Sequence, residues 1–425
     1  MTLFFALWVA LLPTTQDEVY AIRGARIVTL AGEPIDNGTI VIRSGRISEV
    51  GANVSVPAGA EVIEAAGLEV YPGVMDSVSQ IGLTEIGSTA ATVDTTELGD
   101  YNPQLRAATA VHPASEHIPV ARANGITHAL SVPGSLGGFG GGGGYGISGQ
   151  ASLIHLSGWT VEEMAIDPSV GMVLNWPTLS TESFDPTTFE RKTRPFSEVK
   201  KEYDRRIAEL GDWLAAARRY QLRGEAAEKD WKLEALAAVV GGRLPLMIKV
   251  DDERGIRDAV SFADNEGVRL ILLGARDAWK ITDVLVEKGI PVILGPTLEL
   301  PRNEDEPYDQ PFVTAAELHR AGVRVVFGSF SSSDSRLLPY EVGNAVAYGL
   351  PHEEGLKAIT LYPAQLFGVG DQLGSIEEGK VANLIVTDGD PLEIMTQIRY
   401  LFIKGKLESL DNKHLQLYEK YRARE

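Results

Sequence analysis

The sequence predicts an α/β protein: a (β/α)8 TIM-like barrel joined to a small composite β-sandwich built from both chain ends. Three observations carry this expectation. Through the middle of the chain, short apolar runs of strand type alternate with helical segments, the pattern of a parallel sheet covered on both sides. The two ends are both rich in short strands. At 425 residues the chain holds a barrel of ~250 residues with a second domain to spare.

Residues 3–12 form an apolar run that is too short to cross a bilayer and is broken by Pro13. The run fits the core of a signal peptide over 1–17, so export to a periplasmic or extracellular compartment is expected. The competing reading is an apolar helix packed on the protein. No other stretch is long and apolar enough to span a membrane. Strands follow at 21–30, 38–43 and 46–50, the last two flanking Ser44-Gly45, a two-residue hairpin turn. A matching pattern returns at 374–391 and 398–403, with a turn at Gly405-Lys406. The β-sandwich is therefore assigned to 18–70 and 371–425, and the barrel to 71–370.

Within the barrel region, strands are expected at 127–132, 246–250, 269–273, 291–294 and 324–327. Helices are expected at 197–223, 229–240, 255–266, 278–288 and 314–321. The run Gly140-Gly141-Gly142-Gly143-Gly144 leads into no clear amphipathic helix. It reads as a flexible loop at the barrel top rather than a nucleotide-binding turn. The charged stretch 191–232 reads as a solvated helical insertion.

Composition narrows the partners. With 39 basic against 58 acidic residues the net charge is −19, which argues against nucleic acid or an anionic membrane as a partner. Cysteine is absent, so thiolate nucleophiles, cysteine metal sites and disulfides are excluded.

The segment Tyr71-Pro72-Gly73-Val74-Met75-Asp76-Ser77-Val78-Ser79-Gln80 resembles the first barrel strand of the amidohydrolase superfamily. Further resemblance lies in Asn102-Pro103-Gln104, in 118–127, in Gly149-Gln150-Ala151, and in 359–368 followed by 374–380. Together they are similar to the imidazolonepropionase-like group. The resemblance implies a barrel whose strand ends hold one or two divalent metals, zinc or another, and a hydrolase of carbon–nitrogen bonds. In the family the first strand carries His-x-His, the fifth and sixth strands single histidines, and the eighth an Asp. The matching positions here are Val78, Gln80, Lys249, Gly274 and Phe330. Valine has no lone pair to give, and a neutral amide is a poor zinc ligand. No metal cofactor is therefore expected.

The seven histidines, 112, 117, 128, 155, 319, 352 and 414, form neither His-x-His nor His-x-x-x-His. His155, between apolar neighbours, reads as a hydrogen-bonded core residue; His319 and His352 read as surface. Carboxylates offer an oxygen-only alternative. Asp76 and Glu85 lie at and beyond the first strand, Asp251-Asp252-Glu253 follows the fifth, and Asp334 follows the eighth. The bland reading of these acids is loop solvation and helix capping. Lys249 has two readings: a base or amine nucleophile, or an ammonium standing in for the lost cation and paired with Asp76 or Asp251.

The candidate catalytic residues are thus Lys249, Asp76, Asp251 and Asp334, none decisive. The expected function is that of a non-catalytic subunit or ligand-binding relative, as a homo- or hetero-oligomer with a related amidohydrolase, with a small-molecule ligand. The alternative is an active hydrolase of cyclic amides with an atypical site.

Overall fold

The computed structural model describes residues 18–136, 145–185, 190–224 and 228–424. The signal-peptide expectation for 1–17 and the glycine tract 140–144 lie outside the described residues.

The chain ends do combine. Eight strands form one sheet in the order Lys406–Glu408, Ile398–Ile403, Leu384–Thr387, Glu69–Pro72, Val19–Ile27, Ile35–Arg43, Arg46–Gly51, with Glu61–Glu64 also paired to Val19–Ile27. The junction is antiparallel, with Tyr71 opposite Ile385. The expected composite of both chain ends is thus built from one continuous ladder that rolls over on itself. Its far edge returns to the other half: Ile47 N donates to Lys380 O at 2.9 Å and Ala382 N to Gly45 O at 3.0 Å. Register shifts around Arg23, Ala25 and Ile27 supply the added twist. The rolled interior buries Ile22, Ile27, Ile40, Ile42, Ile47, Leu384, Val386 and Phe402.

The barrel strands are Val74–Ser79, Ile126–Ser131, Gly146–His155, Ala165–Asn175, Leu246–Val250, Leu270–Gly274, Val292–Leu294 and Val325–Phe327, each paired with the next in chain order. The ring is drawn together where Phe330 N donates to Val78 O at 2.8 Å. Every strand contributes to the interior, among others through Met75, Leu130, Leu153, Val173, Met247, Ile271, Ile293 and Val326, with Ala364, Phe367, Val369 and Leu373 packed against them. One departure from uniform βα alternation stands out. The third strand runs antiparallel to both neighbours. It returns to the fourth through the single helical turn Val161–Met164, so the third and fourth strands escaped a reading tuned to parallel βα units.

The helices fall close to where their sequence patterns place them. Phe196–Arg223, inserted between the fourth strand and the fifth, is more than a solvated arm: Val199, Tyr203, Leu210, Leu214 and Ala217 form a buried stripe. Trp231–Val240 follows, capped by Asp230, whose side chain accepts from Lys232 N and Leu233 N. Trp213 of the long helix stacks on Tyr101 with ring centroids 5.3 Å apart, and Lys232 Nζ donates to Tyr101 O at 2.7 Å. Among the described residues no helix is long and apolar enough to cross a membrane.

Candidate functional site

The C-terminal ends of the barrel strands form a mouth, the face on which barrel sites are built. Val78, on the first strand, is fully buried. Gly328 backs directly onto it: a Cβ there would lie 2.6 Å from Val78 N. Gln80 donates Nε2–H to Gly134 O at 2.7 Å. Its amide is thereby committed to the loop that follows the second strand.

On the fifth strand, Lys249 Nζ is ion-paired with Asp251 Oδ2 and lies 5.7 Å from the Phe330 ring centroid. Gly274, ending the sixth strand at φ +80°, faces this pair. A Cβ at 274 would come within 2.7 Å of Lys249 Nζ and overlap Asp251 Oδ1. The ion pair thus fills the space that a side chain at 274 would need. Asp251 Oδ1 is buried and has no hydrogen-bond partner among the described residues. Two non-glycine residues here sit in left-handed conformations, Ala275 at φ +47° and Phe330 at φ +55°, which costs energy and must be held in place by the surroundings.

Asp76 lies beneath the mouth, fully buried. It accepts from Ser329 N at 2.9 Å and from Ser329 Oγ at 2.6 Å. Burial pushes its carboxyl up to about 6, against the opposing effect of the Ser329 hydrogen bonds. Of the two acids offered as partners for Lys249, the structure pairs it with Asp251; Asp76 is satisfied by Ser329 instead. Ser329 carried no sequence signal beyond being a polar residue at the end of the eighth strand.

The other acids stay apart. Asp252 caps the helix Glu253–Asn265 by accepting from Gly255 N, as its place before that helix led one to expect. Glu85 accepts from Ser115 Oγ at 2.6 Å and from Glu116 N at 3.0 Å. Asp334 is exposed, bonded to Ser331 Oγ at 3.1 Å and 3.8 Å from Arg336 Nη1. Among the described residues no group of three or more His, Asp or Glu is arranged to hold a metal. The set Val78, Gln80, Lys249, Gly274 and Phe330 does not fit a catalytic divalent cation: it offers one already engaged amide and one ammonium, which repels a cation. His155 is a buried core residue whose Nδ1 accepts from Asn383 Nδ2 at 3.2 Å. His352 is exposed and meets Asp390 Oδ2 at 2.5 Å.

Beside the mouth, the loops after the sixth and seventh strands enclose a cleft of about 510 Å³, including its open side, lined by Gly274, Trp279, Gly295, Pro296, Leu300 and Arg302 among others. Gly274 and Gly295 belong to the rim of both.

Residues 302–409 match the amidohydrolase family. An amidohydrolase crystal structure from Thermotoga maritima MSB8 superposes with a TM-score of 0.78 at 25% identity, covering 92% of this chain and 99% of that one. The chain thus carries an amidohydrolase-family domain on a fold shared with a solved amidohydrolase. The chain is 24% identical over 398 residues to the amidohydrolase tasK of Hapsidospora irregularis, covering 87% of its own length and 39% of that protein. It is 31% identical over 135 residues to an N-substituted formamide deformylase of Arthrobacter pascens, covering 29% of its own length and 25% of that enzyme. The chain therefore spans less than half the length of these curated relatives.

Proposed function

We propose that this amidohydrolase-family chain has given up metal-dependent hydrolysis and serves as a non-catalytic, ligand-binding or partner-binding relative. One observation carries the reading. At the positions where the family resemblance implies cation ligands, the Lys249–Asp251 pair and the Phe330 ring occupy the mouth, and Gly274 leaves room for them. A positive charge of the protein's own stands where a bound cation would supply one. Metal analysis of the purified chain, together with melting in zinc, in manganese and in chelator, tests this. Substoichiometric metal and an unmoved melting temperature are expected. One tightly held divalent ion per chain would overturn the proposal.

A second reading is metal-free hydrolysis of a carbon–nitrogen bond, with Lys249 as base or amine nucleophile and Asp251 orienting it. The left-handed backbone at Ala275 and Phe330 and the deformylase relative favour it. A panel of cyclic amides and N-formyl compounds decides. If turnover is found, Lys249→Ala abolishes it under this reading; turnover that survives the substitution dismisses Lys249.

A further inference from the structure

The helix Lys413–Arg422 is well started but poorly housed. Asn412 Oδ1 accepts from His414 N at 3.0 Å and Leu415 N at 3.2 Å, yet the helix buries none of its residues. Leu415, Tyr418 and Tyr421 are exposed and recur every three residues, so they share one side of the helix. Around them stand Lys413, Lys420, Arg422 and Arg424; the last two lie 5.6 and 4.5 Å from the ring centroids of Tyr418 and Tyr421. An isolated helix of this length is marginal in water, and only its cap, Asn412, is buried in this chain. Residues 413–424 carry a net +3 on a chain of −19, which leaves −22 for the remainder.

A complementary surface lies on the loop after the seventh barrel strand. Residues 296–309 contain five acids and one base, a net −4. Glu299 is paired with Arg276 and Glu306 with Lys280; Glu304, Asp305 and Asp309 have no ion-pair partner among the described residues. On the same loop Leu300 is 85% and Tyr308 76% exposed, with Leu298 also open to solvent. The start of the loop is built rather than slack. Glu341, itself buried, accepts from Thr297 N at 2.6 Å and Leu298 N at 2.8 Å. A held loop loses little entropy when a partner lands on it.

We propose that the helix Lys413–Arg422 docks on residues 296–309 of a second copy of this chain. Leu415, Tyr418 and Tyr421 cover Leu298, Leu300 and Tyr308, and the lysines and arginines face Glu304, Asp305 and Asp309. The −22 on the rest of the molecule opposes close approach to an anionic bilayer within a Debye length of ~10 Å; a second copy is anionic too, and the attraction to it is local, between the +3 of the helix and the −4 of residues 296–309.

The test uses the full chain in sedimentation velocity at low and high salt. Wild type associates at low salt and dissociates as salt rises. The set K413E/K420E/R422E and the set E304K/D305K/D309K are each monomeric, and mixing the two reversed proteins restores association. That rescue distinguishes lost docking from lost folding, because a misfolded variant is not rescued. The uncharged changes Tyr418→Ser and Leu300→Ser, each with unchanged melting, also weaken association. The proposal is overturned by any of three results: a monomeric wild type, association indifferent to both charge reversals, or a mixture that stays monomeric. Binding to phosphatidylserine vesicles that the helix reversals abolish, with self-association untouched, would assign the helix to a membrane and likewise overturn it.

Discussion

At Lys249 and Asp251 a half-buried pair sets the local stakes. Removing one partner strands the other, whereas removing both charges together does not. Lys249→Met is expected to cost about 1–3 kcal/mol by leaving Asp251 unpaired. The double change Lys249→Met with Asp251→Asn should cost less than the sum of the singles; urea unfolding of the full cycle measures this, and strict additivity would refute the coupling. Gly274→Ala tests the same space. Its Cβ meets Lys249 Nζ and requires φ +80° of a residue that resists it, a penalty of roughly 1–3 kcal/mol. Asp76 acts with pH. Its folded carboxyl sits at about 6, above the unfolded value, so between about pH 4 and 6 the folded state holds a proton that the unfolded state releases. Stability from this group is present at the acid end and falls as pH rises through that window, by about 3 kcal/mol in all. Asp76→Asn removes this term while keeping an acceptor for Ser329 N.

At the scale of elements, two hairpin turns from opposite chain ends touch each other. Ser44-Gly45 and Lys404-Gly405 each have two successive positive φ angles, the primed turn that suits twisted strands. A Cβ on Gly405 would lie 2.6 Å from Gly45 Cα. Gly405→Ala is therefore expected to lower stability by about 1–3 kcal/mol in thermal or urea unfolding, where a helix-surface Gly→Ala change would be near neutral or stabilising; an unchanged midpoint would mean the two turns do not support each other. The first hairpin was legible from Ser44-Gly45 between apolar strands, and the helix after the fifth strand from Asp251-Asp252-Glu253. The third and fourth barrel strands were not. Gly146, Gly149 and Gly171 dilute their apolar runs, and pairing with distant strands, rather than local preference, holds them extended.

Across the whole molecule, one source of acid sensitivity lies where the barrel meets the end sheet. His155 is held by Asn383, whose Oδ1 accepts from Lys404 N and whose carbonyl accepts from Gly73 N. Burial pushes His155 down to about 3, and pushes the fully buried His128 well below its ordinary value. Below about pH 6.5 the unfolded chain binds protons that the folded one refuses, so stability is intact above that pH and is lost as pH falls toward 3. His155 alone contributes about 5 kcal/mol of this loss. Asp76 opposes it with the opposite slope. Asp76→Asn should therefore steepen acid unfolding between pH 6 and 4, and His155→Asn should flatten it; urea midpoints measured across pH would contradict the assignment if both variants tracked wild type. The sequence by itself determined the barrel, the strand-rich chain ends and the absence of histidine at Val78, Gln80, Lys249, Gly274 and Phe330, because these depend on local pattern and residue identity. The tertiary structure alone decided that Lys249 pairs with Asp251 and Asp76 with Ser329, that the third strand is reversed, and that the end sheet is one rolled ladder. Such outcomes rest on which distant groups meet in space, and chain order does not encode that directly.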